Sequence, residues 1–416
     1  MASTTEAPRA PWGSREEPRR EIPPARERVS GIRLGRAFGV ELVADWSLLI
    51  IFALVLFQLG AGVLPGWHPQ WGEGLVWLVA FAAAVLFFAS ILLHELSHAL
   101  VARHYGIPVR RITLFLFGGM AHMEREPGSP KAELLMAAVG PLVSLVIGLG
   151  SIALGGMLAG PALERFAEEP ELAYASLGPG ATLLLWLGPV NVVLAIFNMV
   201  PGFPLDGGRV LRAILWWVTG DLLRATRWAS GAGRLFGLTL IAFGVWSIFR
   251  GAFLGGLWLA LIGWFLSSAA RMGYQQVVMR EALEGVSVAR LMRTSFEVVT
   301  PTTRVDELVY EHVMRTDQQA FPVLEGGRVV GIVAMHDVRR LRPEAWAGAR
   351  VAEIMTPASQ LVTIEPDASA AAALEALARH DVDQVPAVRG GELFGMVRRQ
   401  DLVKWLALHE PGARQG

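Results

Sequence analysis

Residues 75–93 read LVWLVAFAAAVLFFASILL, nineteen positions with no charge and one hydroxyl, that of Ser90. A helix of this length crosses most of the hydrocarbon core of a bilayer. The run ends in HELSH, His94 to His98. Ionisable groups at membrane depth are costly, and they mark function by default. This junction constrains the chain more than any other feature. It calls for a membrane helix that delivers two imidazoles and a carboxylate to a site near one face.

Further apolar runs follow the same plan. Hydropathy predicts about six membrane segments, near residues 46–64, 75–102, 132–158, 181–200, 235–249 and 253–270. Hydrophobic residues make up 53% of the 416 and charged residues 18%, as in a membrane protein with a soluble part attached. Formal net charge is zero, so nothing points to nucleic acid as a partner. With no cysteine, disulfides and thiolate metal sites are excluded, and any metal needs nitrogen and oxygen ligands.

Residues 1–36 are polar, rich in Pro, Arg and Glu, and carry no cleavable signal pattern; they read as a disordered cytosolic tail. The stretch before the first segment holds eight arginines. Arg103, Arg110 and Arg111 follow the second segment, Arg209, Arg212, Arg224, Arg227 and Arg234 the fourth, and Arg271 the sixth. The loop after the third is acidic, with Glu164, Glu168, Glu169 and Glu171. This distribution predicts both termini in the cytosol, with HELSH toward the cytosolic face of the cell membrane. Between segments two and three, residues 107–123 alternate loosely around Gly118-Gly119 and read as a short β-hairpin beside the histidines.

Residues four apart share a helix face, so His94 and His98 can present two imidazoles to one ion. Glu95 then lies within reach of a water at that ion. This is the H-E-x-x-H arrangement of zinc hydrolases, in which zinc lowers the pKa of water to about 7 and the glutamate takes the proton. The bland alternative is a pair of hydrogen-bonded core histidines. A hydrolytic site needs a third ligand. His68 and His122 fall near loops and read as ordinary interfacial residues. His104 lies about 15 Å from His94 along the same helix, too far for one ion. The best candidate is Asp206 in NMVPGFPLDGG, residues 198–208, after the fourth run; its alternative role is to cap the next helix. Asn191 reads equally as lining for a water path or as an interhelical hydrogen bond.

HELSH together with NMVPGFPLDGGRVLRA resembles the site-2 protease family of intramembrane zinc metalloproteases. AVGPLVS, residues 138–144, and GPVNVVL, residues 188–194, are similar to the same pattern. The resemblance spans about residues 35–270. It implies His94, His98 and Asp206 as ligands of one zinc per chain, Glu95 as general base and Asn198 as a substrate-positioning residue. It also implies cleavage of single-pass proteins inside the bilayer. A substrate helix must unwind first, and an extended substrate could add as a strand to the hairpin edge at residues 112–117.

After residue 285 the chain repeats itself at an offset of 64: Phe321-Pro-Val with Val385-Pro-Ala, Gly331 and Asp337 with Gly395 and Asp401. Each half reads as strand, helix, strand, turn, strand, helix. The halves, 286–345 and 346–410, resemble paired cystathionine-β-synthase (CBS) domains through LMRT, IMTP, GIVAMHD and GMVRRQD. The resemblance implies an adenine nucleotide with Asp337 and Asp401 on its ribose, and a surface for self-association. Ala334 and Arg398 stand where the family commonly has Thr or Ser, so helix capping by both aspartates stays an equal alternative. The expected architecture is thus a polytopic α-helical membrane domain, 37–272, with a short β-hairpin, a linker, 273–285, and an α/β tandem CBS unit. A transporter and an inactive scaffold are the rivals; ionisable groups concentrated in HELSH and LDGG favour the protease.

Overall fold

The computed structural model describes residues 31–409, except 117, 124, 161 and 163–168. Most of the N-terminal tail, with Glu164 and Glu168 of the acidic loop, lies outside the described residues. The chain forms two compact units, which divide within one helix at residues 278 and 279.

The membrane unit has six helices long and apolar enough to cross a bilayer: α1 (Trp46–Trp67), α2 (Glu73–His104), α3 (Pro130–Ala159), α4 (Pro179–Asn198), α6 (Leu222–Phe249) and α7 (Phe253–Glu284). A seventh helix, α5 (Asp206–Thr219), is shorter and amphipathic. Local chemistry starts these helices where it should. Asp45 accepts from the Ser47 amide ahead of α1, Ser129 from Ala132 ahead of α3, and Asp221 from Arg224 ahead of α6.

Two segments differ from the hydropathy reading. α6 begins thirteen residues early, because Arg224, Arg227 and Arg234 sit in its first turns and mask an otherwise regular helix. α7 runs through 273–284, the bulk of the stretch read as a linker, since its Gln, Met, Arg, Glu, Ala and Leu residues are sound helix formers. Its 32 residues make it about 48 Å long.

The predicted hairpin is present as β3 (Val109–Phe115) and β4 (Gly118–Met123), but it belongs to a larger sheet. β1 (Ile32–Ala37) and β2 (Val40–Ala44) complete the order β1-β2-β3-β4. Residues 32–36, assigned to the tail on composition, are therefore strand; they pair antiparallel with β2. β2 runs parallel to β3, with Leu42 opposite Ile112. β3 is thus interior, and the substrate edge expected at residues 112–117 is already occupied by β2 at residues 112–114, while residue 117 lies outside the described residues. β4 carries the free edge on that side. Val40, Leu42, Ile112 and Leu114 pack on Leu96, Ala99 and Ala102 of α2 and on Met136 of α3, which seats the sheet against the HELSH turn.

In the soluble unit, β5 (Ala320–Glu325), β6 (Arg328–Ala334), β8 (Gln384–Arg389) and β9 (Glu392–Arg398) form one sheet in the order β5-β6-β9-β8, with the short β7 (Thr356–Pro357) on β6. The 64-residue repeat is visible as two hairpins joined where Arg328 meets Glu392. The entry segments are exchanged. Val286 and Val288 pack into the second half's core with Ala370, Leu377, Val385 and Leu402, whereas Val351 packs into the first half's core with Val305, Leu308 and Phe321.

Candidate metal centre and active site

α2 carries His94 and His98 on one buried face, and the first residue of α5 is Asp206. The His94 and His98 Nε2 atoms lie 3.1 and 3.2 Å from Asp206 Oδ2 and 3.2 Å from each other. One ligand atom from each residue falls within 4.8 Å of the others. Asp206 does not cap its helix; the cap position is Leu205, and the carboxylate turns toward the imidazoles.

The far side of each ring is fixed. His98 Nδ1 donates to the Met136 carbonyl at 2.5 Å, and His94 Nδ1 meets Ser144 Oγ at 2.9 Å. With its proton on Nδ1, neutral His98 directs a lone pair from Nε2 into the cluster. Lone pairs of nitrogen and carboxylate oxygen then converge on one point, an arrangement that a divalent cation satisfies. The space for it exists because residue 140 has no side chain. A Cβ there would lie 2.2 Å from His98 Nε2 and 2.7 Å from His94 Nε2. The donor set and the cradle fit zinc.

Glu95, the next residue on α2, faces β4. A Cβ on Gly119 would fall 2.2 Å from Glu95 Cγ and 3.0 Å from Oε1. The backbone of the edge strand therefore passes directly over the carboxylate. Tight packing at Gly207, where a Cβ would meet the Met199 carbonyl oxygen at 2.3 Å, aims α5 at the site.

A buried ion pair ties the two ligand-bearing regions together. Arg212, six residues into α5, donates from Nε to Glu133 Oε1 of α3 at 2.6 Å and stacks at 5.0 Å over the Phe203 ring. Glu133 is fully buried. α3 also supplies Met136, Gly140 and Ser144, so one helix orients both histidines and holds the helix of the aspartate. Sequence reasoning missed Glu133 and Arg212. The available signal was a carboxylate at the start of the apolar run 132–158.

Other predicted residues lie elsewhere. Asn198 donates to the Leu194 carbonyl one turn back at 3.0 Å and, among the described residues, makes no hydrogen bond to the cluster. Asn191 is fully buried; its amide donates to the Leu187 carbonyl in its own helix at 3.0 Å, while its Oδ1 has no partner among the described residues. His68 is a packed structural residue, bonded to Thr182 Oγ1 at 2.8 Å and stacked on Trp71. His122 and His104 are exposed.

In the soluble unit, a cleft of about 320 Å³ is lined by Arg293, Glu297, Gln318, Gln384, Met396 and Arg398. Buried Asp337 accepts from the Ala334 amide at 3.0 Å, the capping role. Asp401 instead takes two bonds from Arg398, at 2.8 and 3.1 Å, with Arg293 at 3.5 Å. Burial alone would raise the Asp401 pKa, but the Arg398 hydrogen bonds and charge outweigh it and hold the carboxyl below the usual range.

A family model described as peptidase family M50 matches residues 82–240, and one for the CBS domain matches 288–344 and 351–408. "Putative zinc metalloprotease Rip3" of Mycobacterium tuberculosis is 33% identical over 380 residues, 91% of this chain and 93% of the relative. "Putative zinc metalloprotease sll0528" of Synechocystis is 30% identical over 91% of this chain and 96% of its own. Among solved structures, "Site-2 Protease from Methanocaldococcus jannaschii" is 28% identical and covers 58% of this chain and 94% of its own, with a TM-score of 0.39. With six membrane-capable helices and a His–His–Asp cluster beside Glu95, the chain belongs to the site-2 protease family of membrane-embedded zinc metalloendopeptidases, in a form that carries two CBS domains.

Proposed function

We propose that this protease hydrolyses peptide bonds within the transmembrane segments of single-pass membrane proteins, with His94, His98 and Asp206 holding one zinc and Glu95 acting as general base. The observation that carries the reading is the convergence of the two Nε2 atoms and Asp206 Oδ2 at 3.1–3.2 Å, with each ring braced from behind. Zinc bound there supplies Lewis acidity, which polarises a carbonyl and acidifies water. Glu95 accepts the proton of the attacking water and returns it to the leaving amine. The free edge of β4 offers amide and carbonyl groups to an unwound substrate, which aligns an extended backbone over Glu95. Asn198 becomes a positioning residue once its amide leaves the Leu194 carbonyl for substrate.

The basic-residue distribution supports a cell-membrane protein with its N-terminus and CBS unit in the cytosol. The CBS cleft, with Arg293 and Arg398 on its wall, suits an adenine nucleotide whose phosphates draw Arg398 off Asp401, and the same unit offers a self-association surface. Titration of the full chain with AMP and ATP tests this part; no heat of binding would remove the nucleotide.

The deciding experiment measures zinc in detergent-purified protein and cleavage of transmembrane reporter helices beside Glu95→Gln. Zinc near one per chain, with cleavage lost in the variant, is the expected result. No zinc in a metal-replete preparation would overturn the reading.

A further inference from the structure

α6 and α7 touch backbone to backbone over part of their length. A Cβ on Gly237 would lie 2.6 Å from the Gly263 carbonyl oxygen, and one on Gly244 2.6 Å from that of Gly256. Away from their hairpin the two helices part. A crevice of about 160 Å³ opens there, lined by Arg227, Ser230 and Arg234 of α6 and by Ala270, Arg271 and Tyr274 of α7.

Among the described residues, no carboxylate lines this crevice. Arg227, Arg234 and Arg271 are exposed, and none forms an ion pair among the described residues. Arg227 Nε donates to the Tyr274 hydroxyl at 3.1 Å, and Arg271 reaches Ser268 Oγ at 3.4 Å. Arg234 has no polar partner among the described residues. Ser230 is 93% buried, and its hydroxyl has no hydrogen-bond partner. Three like charges around one crevice repel unless an anion joins them. Guanidinium forks suit the oxygens of a phosphate.

The surroundings say what carries that phosphate. Positions 227, 231, 234 and 238 share one stripe of α6, so the exposed Leu238 continues the line of the arginines into the apolar part of the helix. On α7 the exposed Trp264 lies two turns from Arg271 on the same stripe. Exposed Trp228 flanks Arg227, an aromatic at the depth where headgroups lie. A basic pocket between membrane helices above an apolar stripe has the layout of a lipid headgroup site.

We propose that this crevice binds the phosphate of an anionic phospholipid, with its acyl chains along Leu238 and Trp264. The full chain, stripped of lipid in neutral detergent, is titrated with phosphatidylglycerol, phosphatidylcholine and inorganic phosphate and read by native mass spectrometry. Phosphatidylglycerol is expected to bind more tightly than phosphatidylcholine. Each arginine-to-glutamine change at 227, 234 or 271 should weaken that preference about fivefold. Arg250→Gln, at the hairpin end, should leave it intact. Arg234→Gln breaks no intramolecular bond among the described residues, so it tests the proposal even if the change at 227 or 271 disturbs folding. The proposal is overturned if Arg234→Gln keeps the full preference or Arg250→Gln loses as much. It is equally overturned if inorganic phosphate displaces the lipid at matched concentration, since the site would then serve a free anion.

Discussion

The His94–His98–Asp206 cluster and the soluble unit treat carboxylates in opposite ways. In that cluster, Asp206 meets two imidazole nitrogens and, among the described residues, no arginine or lysine. In the soluble unit, Asp337 accepts a backbone amide and Asp401 is gripped by Arg398 through two bonds. One set converges and is electrically incomplete; the other is closed by its own chain. The difference teaches where a cation or a proton is needed from outside. A convergent acceptor set inside a bilayer needs one or the other at its centre, whereas a carboxylate closed by its own chain is stable without it.

Substitutions can break this contrast, starting with the largest effect. Asp206→Ala should abolish both zinc retention and cleavage, measured by metal content and reporter cleavage; a variant that keeps its zinc would mean the acceptor set is not the metal site. Glu95→Gln should keep zinc while turnover falls by about 10²–10⁴-fold, the span of general acid–base assistance. Arg212→Met strands Glu133 in the protein interior and should cost about 3–5 kcal/mol, seen as a lowered unfolding midpoint. Adding Glu133→Leu should recover most of that loss, and a double variant as unstable as the single would show that the pair is not the cause. Gly119→Ala pushes a methyl group against Glu95 and should lower kcat while zinc content holds.

The smallest effect belongs to the closed set. Asp401 has its carboxyl held below the usual range, so its stabilising contribution is present above about pH 4 and is lost as pH falls through the depressed value. Asp401→Asn should flatten that acid limb, read as hydrogen exchange of β8 and β9 in the full chain. An unchanged acid limb would mean that Arg398 contributes nothing net.

What the sequence made legible follows from the range of each interaction. The HELSH turn is local: four-residue spacing on a helix puts His94 and His98 together whatever else the chain does. The repeat at 64 residues is likewise visible, because both hairpins use the same turn, Gly326-Gly327 and Gly390-Gly391. The β2–β3 pairing was not legible. It is parallel, it joins strands separated by all of α1 and α2, and its outer neighbour β1 lies in an arginine-rich stretch that reads as tail. The error about the free edge came from that gap. Glu133 and Arg212 were invisible for a related reason: 79 residues separate them, and only the fold turns two isolated charges into a bond. Asn198 and Asn191 each donate their amide to a carbonyl one turn back in their own helix, a bond that a motif cannot distinguish from a functional contact.

The open edge of β4 has a consequence for substrate choice. Main-chain pairing is indifferent to most side chains, so an enzyme recruiting through such an edge discriminates by how readily a helix comes apart. Glycine, proline and β-branched residues near the scissile bond lower that barrier without touching the enzyme. If substrate enters as proposed, selectivity is written in the conformational equilibrium of the prey, and a stiff poly-leucine span escapes cleavage.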